Sequence, residues 1–348
     1  MPRNNKPQNI VLIRTDRIGE VLLSTVAVDV IKKRFPNAKF TFITSGYSRP
    51  LLEDRKDIAE VLTFETMKKA NPVFKAFQLT SMLRKRHFDI AVVFNPHKAL
   101  HMACFLAGIP IRVGYDRKWG VFLNRKIEDE RDKGEKHEIE YTMDLLRLLG
   151  IEETSASPSL PVSEVSEKEL ENITEKIGME FNKPLIIIHP GSSNAVKIWP
   201  IERYVELIRR IKQKTTCYIV LIGSREEKDL SARMAFESGV KVINLTGALD
   251  LKQLAALLKR ASLFIGNDSG PMHMAAALDV PVIAIFGRNI PGVSPTRWRP
   301  WGIKHIVFHE DSGCFPCYDA ECPYEYKCIR AVTVDAVFEA VQKIMSEK

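Results

Sequence analysis

The chain lacks any apolar run approaching the roughly 20 residues that cross a bilayer; its first strand-like stretch, IVLI, is closed almost at once by Arg14 and Asp16. The basic N-terminus, MPRNNKPQN, leads into no signal-type hydrophobic region with a small-residue cleavage site, so a cytosolic protein with mostly reduced cysteines is expected. No two of the 18 glycines stand two positions apart, which excludes the GxGxxG dinucleotide fingerprint, and no GxxxxGK(S/T) loop occurs. Ordinary dehydrogenases and P-loop kinases are thereby set aside. No two aspartates stand two apart either, so no DxD is available to hold a metal and a nucleotide diphosphate together. No period of about 20 to 50 residues recurs, which removes solenoids and propellers.

What is present suits a globular enzyme. With 348 residues, 45% hydrophobic and 27% charged, the chain is too long for one ordinary core and suits two. The net charge of +8 is unevenly spread. Residues 1–150 hold 27 Lys and Arg against 18 Asp and Glu, and the remainder 24 against 25, so the first part is +9 and the rest −1. A field concentrated in one domain draws an acidic partner to it.

The pattern along the chain is α/β. NIVLIRT reads as a strand, followed by a turn over Asp16 to Gly19 and a helical run from Glu20 to Phe35. KFTFITS, VLTF, FDIAVVFN and IRVGY read as further strands, with helices such as PVFKAFQLTSMLRKRH between them, which implies a parallel sheet covered on both faces. The polar, Ser-rich stretch ETSASPSLPVSEVSEKE reads as a linker, with the boundary at 165/166. Alternation then restarts with PLIIIHPG, a helix from Pro200, CYIVLIG, VKVINLTG, LFIGND and VPVIAIFG. A final helix begins with Thr333 as N-cap and places Val334, Val337, Phe338, Val341, Ile344 and Met345 on one face.

Two strand-to-helix turns in the second half suit phosphate. After LFIGN come Asp268, Ser269 and Gly270, then Pro271; free N–H groups at such a helix start bind anions, and ligands of open parallel sheets collect at the carboxyl ends of strands. The other turn, HPGSSNAVKIWP, carries Ser192, Ser193 and Lys197, and a lysine there stabilises charge on a departing diphosphate. Singly, each has an ordinary structural explanation: Asp268 as a cap, His273 as a core histidine, Lys197 as surface. Their occurrence in one sheet favours a site.

The ordered set RTDRIGEVLLS, HPGSSNAVKIWP and GNDSGPMHMAAAL, with FLAGIPIRVGY and CFPCYDAECPYEYKC, resembles the ADP-heptose:lipopolysaccharide heptosyltransferases, glycosyltransferase family 9. The resemblance covers most of the chain. It implies an α/β GT-B fold, two Rossmann-like domains with parallel sheets facing across a cleft. Residues 1–165 would bind the acceptor and 166–330 the nucleotide sugar, with a helix in 331–348 packing back on the first domain. It also implies inverting transfer of heptose from ADP-heptose to the lipopolysaccharide inner core, either Kdo-lipid A or its heptosylated form. No cofactor is required on this view and no nucleic acid is bound; the protein would be cytoplasmic and peripheral on the inner membrane, where the +9 domain meets anionic lipid.

By position, the resemblance makes Glu20, after Gly19, the catalytic carboxylate. Most members have aspartate there, and Asp16 is the other candidate. Lys197 would meet the donor phosphates with Ser192 or Ser193 beside it, Glu226 would face the nucleotide, and Leu249 would line the base pocket. Asp268, Ser269, Gly270 and His273 would receive heptose and diphosphate. After VIAIFG the family usually has proline, where this chain has Arg288, expected to add a phosphate contact.

Cys314, Cys317, Cys322 and Cys328 are spaced as four-thiolate zinc or an iron–sulfur centre tolerates, which leaves a structural metal open; Cys104 and Cys217 read as core. Two rival functions remain at this point. Another GT-B nucleotide-sugar enzyme, such as a different glycosyltransferase or a 2-epimerase, would carry similar turns. A basic nucleic-acid-binding protein is disfavoured, because RKRH and KKRF lack interleaved aromatic platforms.

Overall fold

A computed structural model describes residues 7–66, 71–154, 156–192, 194–288, 290–314, 317 and 322–346. The chain divides into two compact units, Met1–Ser159 and Leu160–Lys348. The division falls before the 165/166 boundary read from the Ser-rich stretch, because helix Glu164–Lys176 already belongs to the second unit. Ser163 caps that helix, and Glu167 and Glu171 pair at 2.7 Å with Lys259 and Arg260 of the same unit.

The first unit is a parallel sheet of six strands: β1 (Asn9–Ile13), β2 (Lys39–Thr44), β3 (Glu60–Thr63), β4 (Ile90–Val93), β5 (Ile111–Tyr115) and β6 (Arg125–Ile127). Their order is β3-β2-β1-β4-β5-β6. Central β1 pairs with β2 and β4, and Ile10 to Ile13 are fully buried, which is why IVLI is a continuous apolar run rather than an alternating one. The second unit repeats the plan with β7 (Leu185–His189), β8 (Tyr218–Leu221), β9 (Ile243–Asn244), β10 (Leu263–Asn267), β11 (Val282–Phe286) and β12 (Ile306–His309), ordered β12-β11-β10-β7-β8-β9.

Counted from its own first strand, each sheet therefore runs 3-2-1-4-5-6. In this order the chain reverses its direction of travel between strands 1 and 4, which opens a crevice at their carboxyl ends where ligands collect. The crevices lie at β1/β4 in the first unit and at β7/β10 in the second.

The helix expected over Glu20 to Phe35 is two, Ile18–Ser24 and Val26–Arg34, divided at Thr25, whose hydroxyl bonds back to the Leu22 carbonyl. The final helix, Val334–Ser346, starts as expected, with Thr333 Oγ1 accepting from the Ala336 N–H at 3.2 Å. Its docking differs from the expectation that it returns to the first domain. Val334, Val337, Val341 and Ile344 enter the second unit's own core with Trp199, Tyr204, Ile208, Ile283 and Ile285. The physical reason is an anchor at its start: the Trp199 indole N–H donates to the Val332 carbonyl at 3.0 Å, and Arg210 pairs with Asp335. Among the described residues no helix is long and apolar enough to cross a membrane.

Trp199 is fully buried and stacks edge-on against Tyr204 at 4.9 Å. Trp199→Ala is expected to cost the second unit about 3–5 kcal/mol, read from denaturant midpoints. A loss under about 1 kcal/mol would remove Trp199 as the anchor of the final helix.

Candidate functional site

In the first unit the β1/β4 crevice is built on Arg14. Its side chain is 2% exposed; Nε donates to both Asp16 oxygens at 2.7 and 3.0 Å, and Nη1 donates to Glu138 Oε1 at 2.8 Å. Burial works against the guanidinium charge, but Asp16 and Glu138 outweigh it and hold the group still more firmly protonated. The chain of charge continues through Arg131, which lies 3.6 Å from Glu138 and 2.7 Å from Asp129, with its guanidinium 4.0 Å over the Tyr115 ring. Asn95, just beyond β4, joins the two strand ends: its Oδ1 accepts from the Thr15 N–H at 3.3 Å and its Nδ2 donates to Thr15 Oγ1 at 3.1 Å.

Against this frame the two candidate carboxylates differ. Asp16 is committed to Arg14. Glu20 stands in the first turn of helix Ile18–Ser24, half-buried, with no ion pair to its carboxylate among the described residues. Burial, and next the negative charge of Asp16, push the Glu20 carboxyl up to about 7, overcoming the opposing pull of Arg14. A general base works best when its pKa lies near the operating pH, so Glu20 is the better suited of the pair.

In the second unit the turns after β7 and β10 meet. Lys197, in a short 3-10 turn over Ala195–Lys197, donates to Asp268 Oδ2 at 2.5 Å, both side chains being only 10% exposed. Ser269 is the N-cap residue of helix Gly270–Ala277, and Gly270 and Pro271 open that helix. Its first turn therefore presents backbone N–H groups beside a lysine. His273 is buried on this helix, 6.3 Å from the Trp298 ring, centroid to centroid. Ser192 is half-buried and bonds the Asn194 N–H at 3.5 Å; Ser193 lies outside the described residues.

Beyond these, Leu249 is half-buried just before Asp250, the cap of helix Leu251–Lys259. Of the two adjacent acids after β8, Glu226 is exposed, whereas Glu227 turns inward and meets His189. Arg288 is buried beyond β11 in a left-handed conformation, φ 68°, and its carbonyl accepts from His309 Nε2 at 2.9 Å. Proline, fixed near φ −65°, cannot adopt that conformation. The loop after β11 therefore takes a path that the family's usual proline would forbid.

Three contributors escaped the sequence reading. Glu138 is 124 residues from Arg14, and nothing local marks it as a partner. Asn267 was visible only as the middle of GND. Glu227 had a usable signal in the glycines that make room for it: a Cβ on Gly191 would come within 1.7 Å of its Oε1, and one on Gly223 within 2.7 Å of its Oε2.

The four clustered cysteines are half-buried and unpaired, and Cys104 and Cys217 are buried in the core as read. Among the described residues no three His, Cys, Asp or Glu side chains converge as a metal site.

A model of the family described as glycosyltransferase family 9 (heptosyltransferase) matches residues 76–327. Lipopolysaccharide heptosyltransferase 2 of Salmonella typhimurium is 25% identical over 352 residues, covering 97% of this chain and 99% of that protein. The structure of E. coli ADP-heptose lps heptosyltransferase II superposes with TM-score 0.80 at 22% identity over 98% of this chain and 99% of that one. The E. coli heptosyltransferase WaaC with ADP gives TM-score 0.70 at 18% identity over 97% and 100%. Structural likeness at such identities establishes the fold.

The electrostatics of the first unit are open to measurement. Site-assigned carboxyl NMR should find Glu20 titrating near pH 7, with Asp16→Asn moving its midpoint down, since that change removes a negative neighbour and frees Arg14. The sign for stability follows: a carboxyl raised in the folded state weakens folding as pH climbs from its ordinary 4.5 to about 7. A Glu20 midpoint in the ordinary range, or one indifferent to Asp16→Asn, would refute this account.

Proposed function

The chain belongs to glycosyltransferase family 9 (heptosyltransferase), and from that membership we propose that it moves heptose from ADP-heptose to a hydroxyl of the lipopolysaccharide inner core, on Kdo-lipid A or its heptosylated form. The observation that carries the donor assignment is the pairing of turns at the β7/β10 crevice, which sets Lys197, Asp268 and the start of helix Gly270–Ala277 together. A pyrophosphate suits that arrangement: the helix start supplies N–H donors and partial positive charge, and Lys197 a mobile cation. Relatives point the same way, since WaaC carries ADP and heptosyltransferase II is described by ADP-heptose.

The acceptor oxygen attacks the anomeric carbon as the bond from that carbon to the pyrophosphate oxygen breaks. The hydroxyl proton passes to Glu20, and the electron pair of the broken bond leaves with ADP, inverting the anomeric centre. Glu20 is suited to this because a carboxyl poised near 7 is partly ionised at neutral pH yet basic enough to hold the proton. Lys197, three donors on a flexible stem, can turn from Asp268 toward growing negative charge. Asp268 is then free to accept from sugar hydroxyls. Ser192 and Ser193 supply further hydroxyls, His273 and Leu249 shape the donor pocket, Glu226 stands at the nucleotide, and Arg288 adds a phosphate contact.

We also place the protein on the cytoplasmic face of the inner membrane. The support is the +9 charge of residues 1–150, together with solvent-facing Phe74, Phe77 and Trp119 on the first unit. Lysine and arginine among amphipathic aromatics suit an anionic lipid interface.

A transfer assay with ADP-heptose and Kdo-lipid A, with UDP-sugars as controls, tests the function; release of free sugar or an isomer without acceptor would point to a hydrolase or epimerase instead. Glu20→Gln is expected to lower kcat by about 10²–10⁴-fold while leaving the donor dissociation constant unchanged; normal turnover would shift the role to Asp16. Lys197→Ala should weaken ADP-heptose binding and lower kcat by about 100-fold. Unaltered kinetics in that variant would remove the lysine from the mechanism.

A further inference from the structure

His189, the last residue of β7, lies between two side chains from other loops of the second unit. Its Nδ1 is 3.0 Å from Ser269 Oγ and its Nε2 is 3.4 Å from Glu227 Oε2. The ring is 5% exposed. Glu227 is fixed from its other side by the Ser224 backbone N–H, which donates to the same Oε2 at 2.6 Å. Burial pushes the Glu227 carboxyl up, but the hydrogen bond and charge of His189 and the Ser224 contacts outweigh it and hold the group below the usual carboxylate range. An ionised carboxylate only accepts, so Nε2 of His189 carries a proton.

Nδ1 then has two states. In the neutral ring it accepts, and Ser269 spends its single hydroxyl proton on it. In the charged ring it donates, Ser269 accepts, and the serine proton is free to point elsewhere. Ser269 is well placed for that change to matter. It stands at the start of helix Gly270–Ala277 yet makes no side-chain cap bond there, and its hydroxyl meets the imidazole instead.

We propose that His189 is a positioning residue that takes up a proton as a diphosphate binds, and so turns the Ser269 hydroxyl from a donor to the ring into a donor to a phosphate oxygen. This rests on the reading that the β7/β10 crevice holds the nucleotide diphosphate. The proton comes from solvent, no covalent bond to carbon or phosphorus changes, and the serine proton only reorients. The charged groups around the ring are Glu227 from the turn after β8, and, beside Ser269, Asp268 with its partner Lys197 from the ends of β10 and β7. That last pair cancels, Glu227 is negative, and an arriving diphosphate adds further negative charge, so the field change on binding favours imidazolium.

Calorimetry of ADP binding to the full chain, from about pH 6.5 to 8.5 in buffers of different ionisation enthalpy, counts protons taken up per ADP. Wild type is expected to take up a fraction of a proton beyond what ADP itself contributes, with affinity falling as pH rises. His189→Gln keeps a donor and an acceptor but cannot titrate; it should lose the excess uptake and flatten the pH dependence. Ser269→Ala should weaken ADP by about 10-fold, and adding His189→Gln to it should cost little more, because the histidine acts through the serine. A pH-independent wild-type affinity, uptake that persists in His189→Gln, or fully additive losses would overturn the proposal. A wild type that binds no ADP would instead sink the donor-site reading itself.

Discussion

Both crevices are held open by an asparagine at the end of the fourth strand of its sheet. In the second unit Asn267 is fully buried, and all of its hydrogen-bonding capacity is used. Nδ2 donates to the Pro190 and Gly191 carbonyls at 2.7 and 3.3 Å, and Oδ1 accepts from the Trp199 N–H at 3.1 Å and the Tyr204 hydroxyl at 3.0 Å. An amide alone offers two donors and two acceptor sites in one plane. Aspartate would face two carbonyls without a proton to give, and leucine would leave four buried polar groups without partners, each a cost of about 1–3 kcal/mol. Through these bonds the turn bearing Lys197 is kept against the turn bearing Asp268, and Trp199 is set where it can receive the final helix. Asn95 does the same work at β1/β4 with Thr15 as its partner.

Once the strand ends are fixed, charge is tuned by a few neighbours. Arg14 takes Asp16 and Glu138, and Glu20 is raised first by burial and then by the negative charge of Asp16, against the opposing pull of Arg14. A carboxyl near 7 thus arises without any unusual residue. It needs burial in the first turn of a helix and a second acid four positions earlier.

Much of this was legible in the sequence because it is local. Alternating strand and helix patterns, the apolar runs of parallel strands and the Thr333 cap all depend on residues within one turn or one strand of each other. The turns at HPGSS and NDSG were readable for the same reason. What escaped is non-local or conformational. The partner of Arg14 comes from a charged helix start far along the chain. That Glu227 meets His189 depends on which side of a 3-10 turn faces Gly191 and Gly223. The final helix carries a clear apolar face, but a face says only that something covers it. Its destination is set by the Trp199 indole and the Val332 carbonyl, a pairing no periodicity encodes.

The repeated 3-2-1-4-5-6 order gives one chain two crevices of the same construction, and the chemistry has reason to use both. A base must keep its carboxyl near neutrality, whereas a pyrophosphate must be met by cations and N–H dipoles. Each field is set by neighbours of its own unit: Arg14 and Asp16 for Glu20, Asp268 and the helix start for Lys197.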